Sequence, residues 1–410
     1  MTNRKIYIAL AIFSQVFFFN VNGQIAPGST KRTVPVMGWS SWNNFGIGIN
    51  EQLIKDQTDA MVSSGLKQAG YQFINIDDGY FGGRDERGNI KAHPTRFPNG
   101  MKKVADYIHS RGLKAGIYSD AGINTCASMW NKDSIGSGMG LYGHERQDIY
   151  RMLKEWGYDF LKVDWCGAQA MGLDEEVNYT KIGRIINQIR TDAIYNVCRW
   201  EFPGKWVCNI ADSWRISGDI TNTFESILHI IDLNSELWKY AGPGHVNDMD
   251  MLQVGRGMTY DEDKTHFSMW CMMASPLLAG NDLTKMSKQT ISILTNKEMI
   301  AIDQDPLVYQ ARKLNDYGEQ EVWARPLIST MSGKVAVALL NRSDSNVKIS
   351  FNIDAISIEA KKGYIIRDVW NNTTSQVQFK SDHSFEVPPH GIVVLQITGT
   401  AAPFNVFQKK

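Results

Sequence analysis

Tyr158-Asp-Phe-Leu-Lys-Val-Asp-Trp-Cys-Gly167 decides how this chain is read. It opens with an apolar, β-prone run, Phe160, Leu161 and Val163, and sets a carboxylate, Asp164, where that run stops. Residues 158–163 are expected as a short buried strand and residues 165–167 as the loop after it. A charged side chain at the mouth of a buried parallel strand is costly to desolvate unless something pairs with it. Lys162 lies two residues back on the same strand face as Asp164, which makes it the expected partner. The two residues are then either a structural ion pair or part of a reaction centre, and the fragment alone supports both.

Working outward, the same theme recurs without repeating its letters. Apolar runs at 36–42, 73–79, 113–120, 193–198, 213–219, 245–251 and 274–280 end in polar or aromatic residues. Amphipathic stretches lie between them. Met101, Val104, Ala105 and Ile108 recur at helical spacing, as do Val177, Ile182, Ile185, Ile186 and Ile189. Residues 265–273 and 288–302 are expected as later helices. Eight strand-then-helix units predict an α/β fold, a (β/α)8 TIM barrel over residues 24–313, with its active site at the carboxyl ends of the strands.

That rule gathers Trp42, Asp77, Asp78, Tyr118, Asp120, Asp164, Arg215, Asp219, Asp248 and Asp250 around one mouth. Any single aspartate there could be a helix cap, but the set is harder to explain that way. A carboxylate-rich, aromatic-lined mouth without Cys/His metal spacing suits sugar hydrolysis. Past residue 314 the pattern changes to short β-runs (321–326, 334–340, 347–351, 364–370, 391–397) separated by Asn, Asp, Ser and Gly. These predict a small antiparallel β-sandwich over 314–400, followed by a tail at 401–410.

Bulk properties narrow the class. The chain has 410 residues, and its 43 Lys+Arg balance 43 Asp+Glu, so nothing points to a nucleic-acid partner. Twelve Trp hint at platforms for sugar rings. Arg4 and Lys5 precede an apolar stretch, residues 6–19, that is short for a membrane span. Residues 1–23 therefore read as a cleaved signal peptide, which predicts a secreted or periplasmic protein with no membrane span in the mature chain. In an oxidising compartment, five cysteines suggest two bridges and one thiol left over. Cys271, inside an apolar run, is the natural buried thiol.

Taken in order, these fragments resemble glycoside hydrolase family 27, the α-galactosidase and α-N-acetylgalactosaminidase family. The resemblance rests on Met37-Gly-Trp39 with Trp42, Ile76-Asp-Asp78, Gly116-Ile-Tyr118 and Leu161-Lys-Val-Asp164. It continues through Ser213-Trp-Arg215 with Gly218-Asp219, Asn247-Asp-Met-Asp-Met251, residues 301–306 and residues 322–326. It implies a retaining exo-glycosidase acting on galactose-containing oligo- or polysaccharides, without cofactor or metal. By similarity Asp164 is the nucleophile and Asp219 the general acid/base. Trp42, Asp77, Asp78, Tyr118, Lys162, Trp200, Arg215, Asp250 and Met251 are the implied sugar contacts, with Asp120 and Asp248 as structural neighbours. Cys126 and Cys166 match a family disulfide. A second bridge, Cys198–Cys208, is expected from short separation and the intervening Pro203-Gly204.

The chain also departs from the family. Arg199 stands where the family's α-galactosidases usually carry a glutamate that reads the sugar's second carbon. Arg199 is thus a candidate substrate contact, unless it turns away to pair with Glu201 or a nearby aspartate. Gly244-His-Val-Asn247 replaces a typical Gly-Gly-Trp-Asn. The competing expectations are a related sugar (N-acetylgalactosamine, β-L-arabinopyranose or an isomalto-type glucan), a silent sugar-binding protein, and a metal-dependent hydrolase. Retention of both Asp164 and Asp219 speaks against the second, and the lack of histidines at ligand spacing against the third.

Overall fold

The computed structural model describes residues 32–328, 333–356, 363–378 and 382–399. The expected signal segment 1–23 and the tail 401–410 lie outside the described residues. Among those described, no helix is long and apolar enough to cross a membrane.

Eight parallel strands form the first sheet: β1 (Met37–Ser40), β2 (Phe73–Ile76), β3 (Lys114–Asp120), β4 (Phe160–Asp164), β5 (Ile194–Val197), β6 (Ser213–Arg215), β7 (Val246–Asp248) and β8 (Leu277–Ala279). From β2 to β7 each pairs with its predecessor, and β8 pairs with β1. The last gap closes just past β7, where the Leu252 amide donates to the Leu278 carbonyl at 2.7 Å and Gly280 donates to the Leu252 carbonyl at 2.9 Å. The expected (β/α)8 barrel is therefore the observed fold.

Period-two alternation sorts the strand residues. Phe73, Phe160 and Ile194 join Val36, Met251 and Leu278 in one apolar cluster, distinct from the larger core outside the sheet. Phe73, Phe160 and Ile194 start their strands and Val36 precedes β1, so they close the barrel from below, whereas Met251 lies past the end of β7. Two positions on come Asn75, Lys162 and Asn196, and two further Asp77 and Asp164. Gly116 makes room in the middle layer, since a Cβ there would lie 1.9 Å from Asn75 Oδ1.

The outer helices follow the expected rhythm with two differences. No α-helix follows β5, where only a 3-10 turn, Lys205–Asn209, is formed. The stretch expected as one helix at 288–302 is two, Lys288–Leu294 and Lys297–Asp303. Asn296 caps the second by accepting from Glu298 and Met299 amides at 3.1 and 3.0 Å.

The C-terminal strands β9 (Arg312–Asp316), β10 (Gln320–Leu327), β11 (Lys334–Asn341), β12 (Val347–Asn352), β13 (Tyr364–Asp368), β14 (Thr373–Val377), β15 (Asp382–Val387) and β16 (Ile392–Gly399) are antiparallel. They form a six-stranded sheet ordered β9-β10-β11-β16-β13-β14 and a β12-β15 pair. Val322, Val337, Phe351, Ile366 and Leu395 fill the space between, giving the expected sandwich. The opposite face of the large sheet (Trp323, Ala338, Val394) joins the barrel's outer core. Arg325, fully buried there, donates to the carbonyls of Cys271 and Asp303.

Candidate active site

The carboxyl ends of the strands surround a cavity of about 350 Å³. Trp42, Asp77, Asp78, Tyr118, Lys162, Asp164, Trp200, Arg215, Asp219 and Met251 line it, as do Cys126, Cys166, Trp130 and Asn131. The barrel thus brings together residues from seven strand ends, separated by more than two hundred positions in the chain.

Lys162 does not pair with Asp164 as its spacing suggests. Its Nζ lies 2.9 Å from Asp77 Oδ2 at the end of β2, the strand on the other side of β3. The physical reason is geometric: side chains two apart on one strand stand parallel, whereas lumen-facing side chains of alternate strands in a closed barrel converge. The lysine still acts on Asp164 through space. Burial pushes the Asp164 carboxyl up to about 6, with the Lys162 charge opposing and Asp219 adding to the rise. Asp164 Oδ1 also accepts the Trp165 amide at 3.0 Å.

Asp78 is used structurally as much as it is offered to the cavity. Its oxygens accept from Gly79 and Ala127 amides, each at 2.8 Å, and burial raises its carboxyl to about 7. Asp120, raised to about 8 by burial and by Asp164, accepts from Gly122 at 2.7 Å and Gly167 at 3.1 Å. It pins the loop that follows the Asp164 strand. The Gly167 backbone comes so near that a Cβ would sit 2.2 Å from the Asn124 carbonyl. Cys126 and Cys166 are disulfide-bonded, which ties the same two loops covalently. Asp120, Cys126 and Cys166 lie within metal-ligand distance of one another, but the two sulfurs are spent on each other.

On the opposite wall Arg215, 4% exposed, reaches Asp219 Oδ1 at 3.1 Å and Asp250 Oδ2 at 2.9 Å. The Asp219 side chain is 66% exposed. Partial burial works to raise its carboxyl, but Arg215 and Lys162 outweigh that and hold it below the ordinary aspartate value. Asp250 sits below the cavity, at φ 75°, with its carboxylate accepting from Met251 and Ile220 amides at 2.7 and 2.9 Å. There it orients Arg215, and it lines a smaller void of about 30 Å³ under the cavity floor. Asp248 accepts from Asn196 at 2.8 Å and from the Asp250 amide at 2.9 Å, as a structural residue would.

Two expectations need correction. Arg199 is turned off the cavity by ion pairs to Glu175 and, at 2.9 Å, to Glu201, and its guanidinium lies 5.5 Å from the Trp200 ring centre. Two carboxylates outbid a sugar hydroxyl for that fork. Cys198 and Cys208 are free thiols. Cys198 continues the lumen-facing alternation of β5, with its sulfur 3.9 Å from Arg215 Nη1, whereas Cys208 lies on the 3-10 turn with its sulfur 3.6 Å from the Tyr240 carbonyl. Their side chains face different surroundings despite the short separation. Cys271 is free and buried. Trp130 and Asn131 were not anticipated: they lie at the end of a five-residue helix in the long connection after β3, where no strand-end rule or periodicity marks them.

A closed (β/α)8 barrel with two carboxyls facing one cavity, and aromatic and carboxylate sugar-binding groups around them, is the architecture of a glycoside hydrolase. Comparison with known proteins gives the particular one. The family model for alpha galactosidase A matches residues 34–305, and the alpha galactosidase C-terminal beta sandwich domain matches residues 317–397. The chain is 42% identical to alpha-galactosidase A of Cellvibrio japonicus over 387 residues, covering 89% of this chain and 92% of that one. It is 40% identical to alpha-galactosidase 2 of Arabidopsis thaliana, covering 92% and 94%. The crystal structure of alpha-galactosidase I from Mortierella vinacea superposes with a TM-score of 0.83 at 31% identity, covering 92% of this chain and all of that one. The chain belongs to the α-galactosidase family, glycoside hydrolase family 27.

Proposed function

We propose that this protein hydrolyses terminal α-D-galactosyl residues of oligo- or polysaccharides, with retention, by double displacement at Asp164 and Asp219. The observation that carries this reading is that both carboxyls face one cavity closed at its floor, within a family of α-galactosidases. A closed floor accepts a chain end, which is exo action. Asp77, Asp78 and Lys162 offer the charged hydrogen-bonding set that fixes a sugar's hydroxyls.

The chemistry follows from the two carboxyl settings. The Asp164 carboxylate attacks the anomeric carbon while Asp219 delivers a proton to the departing oxygen, so the glycosidic bond breaks and a glycosyl-Asp164 ester forms. Asp219, now a carboxylate, takes a proton from water. The water oxygen bonds to the anomeric carbon and releases Asp164, restoring the original configuration. Before the first step Asp219 must carry a proton that Arg215 and Lys162 disfavour. Sugar hydroxyls that draw Arg215 away would raise it.

Both members of the Asp77–Asp78 pair are short acids, which leaves room for a hydroxymethyl group and favours galactosides over pentopyranosides. The basic-then-apolar N-terminal segment and the Cys126–Cys166 bridge support export as part of the same reading. An NMR time course on an α-galactoside tests the core of the reading. Initial release of α-galactose is expected; initial β-galactose, or faster turnover of a β-L-arabinopyranoside, would overturn it.

A further inference from the structure

Trp130 is 71% exposed, more than any other large apolar side chain among the described residues. A single exposed indole needs no explanation by itself. This one, however, stands on the lip of the cavity that holds Asp164 and Asp219, and its base is fixed. It ends a short helix, Cys126–Trp130, whose first residue is disulfide-bonded to Cys166, two positions after Asp164. Within that helix the Cys126 amide donates to Tyr118 Oη at 3.3 Å, and the Ala127 amide donates to Asp78 Oδ2 at 2.8 Å. Behind it, Arg84 holds the returning loop through the carbonyls of Gly138 and Gly140 at 3.1 and 3.0 Å.

Depth then decides what the indole faces. Asp77, Tyr118, Lys162 and Arg215 line both the cavity and the void beneath it, so they form the floor where the terminal sugar sits. Of the residues that line the cavity and not the void, Trp130, Asn131 and Asp219 are the exposed ones, which puts them together at its rim. Asp219 is the group that protonates the departing oxygen, and the leaving group must therefore lie at this level. A pyranose presents a face of C–H bonds flanked by hydroxyls. An indole matches the first with a flat apolar surface, and the exposed Asn131 amide can bond the second.

We propose that Trp130, with Asn131 beside it, forms a leaving-group subsite that stacks a second sugar ring, so that the enzyme selects galactosides whose aglycone is itself a sugar. The proposal rests on the galactosidase reading above and deepens it. Trp130→Ala is the test, with kcat/KM measured on melibiose, whose leaving group is a pyranose, and on α-galactosyl fluoride, whose leaving group is one atom. Melibiose should lose about tenfold and the fluoride less than twofold, with Trp130→Phe recovering part of the loss on melibiose. An equal loss on both substrates would make Trp130 merely structural, and no loss on melibiose would remove the subsite; either overturns the proposal. An unmutated enzyme that fails to turn over α-galactosyl fluoride would instead refute the galactosidase reading itself.

Discussion

Asp164 and Asp219 face one cavity from walls built in opposite ways. Asp164 ends β4 at 6% exposure, flanked by β3 and β5, with a backbone amide and a disulfide-tied loop fixing what surrounds it. Asp219 stands on the loop after β6, with its side chain 66% exposed and one charged partner, Arg215. Burial lifts the first carboxyl and cations depress the second. Each wall meets a different demand of the reaction. A nucleophile must hold a fixed line of attack, and the core of the barrel supplies that rigidity. An acid/base must exchange protons with solvent in each cycle, and exposure supplies that access.

The largest effect should come from deleting the carboxyls one at a time. Asp164→Ala should fall to background on every substrate and form no covalent glycosyl-enzyme by intact-protein mass spectrometry. Asp219→Ala should lose about 10²- to 10⁴-fold on sugar leaving groups, yet still be glycosylated by aryl galactosides that leave without protonation. Substantial turnover by Asp164→Ala would reverse the assignment.

Lys162 tests the buried wall. Below a pH of about 6 Asp164 is protonated and cannot attack, so kcat/KM should drop as pH falls through that value. Lys162→Met removes a charge that lowers the Asp164 pKa, so this acid limb should move to higher pH. It also leaves Asp77 buried without its partner, a loss of about 3–5 kcal/mol readable in urea unfolding. A limb that stays near 6 would show that Lys162 does not act on Asp164.

The Cys126–Cys166 bridge serves the same wall at a smaller cost. It closes a loop with a sequence separation of 40, worth about 2–4 kcal/mol, and Cys126→Ser with Cys166→Ser should lower Tm accordingly. Thiol titration of the unreduced, denatured chain should count Cys198, Cys208 and Cys271. A count lower by two would restore the Cys198–Cys208 bridge that short separation suggested.

That bridge marks where sequence stops being enough. The barrel and most of its site were legible because each strand ends in its functional residue, and period-two alternation puts Asp77, Asp164 and Arg215 into the lumen together. Pairings between strands were not legible. Lys162 and Asp77 are far apart in the chain, and only the closed barrel makes them neighbours. Cys198 and Cys208 fail for the converse reason, because a short separation says nothing about which side of a strand each faces. Trp130 ends a five-residue helix, too short to show a periodicity. The edge strand β14 is exposed at four of its five positions, so it carries no apolar signal. Val177 shares its helix's apolar spacing yet is exposed, because it lies in the first turn, beyond the core.

Arg199 should give the smallest effect, and its ion pairs change what that effect is. A guanidinium free in the cavity would read the sugar, and replacing it would reorder the preference among plain, N-acetylated and charged galactosides. Here Glu175 and Glu201 already neutralise its charge through Nε and Nη2, so an anionic substituent would have to compete with two carboxylates. The side chain remains in contact with the site only through Trp200, whose ring it covers. Arg199→Ala should therefore cost no more than about 1 kcal/mol of stability. It should lower kcat/KM by a similar small factor on all three galactoside types as Trp200 loosens. A changed ranking across that panel would mean that the arginine leaves its carboxylates when substrate binds, and the exposed wall would then read the sugar as well as protonate it.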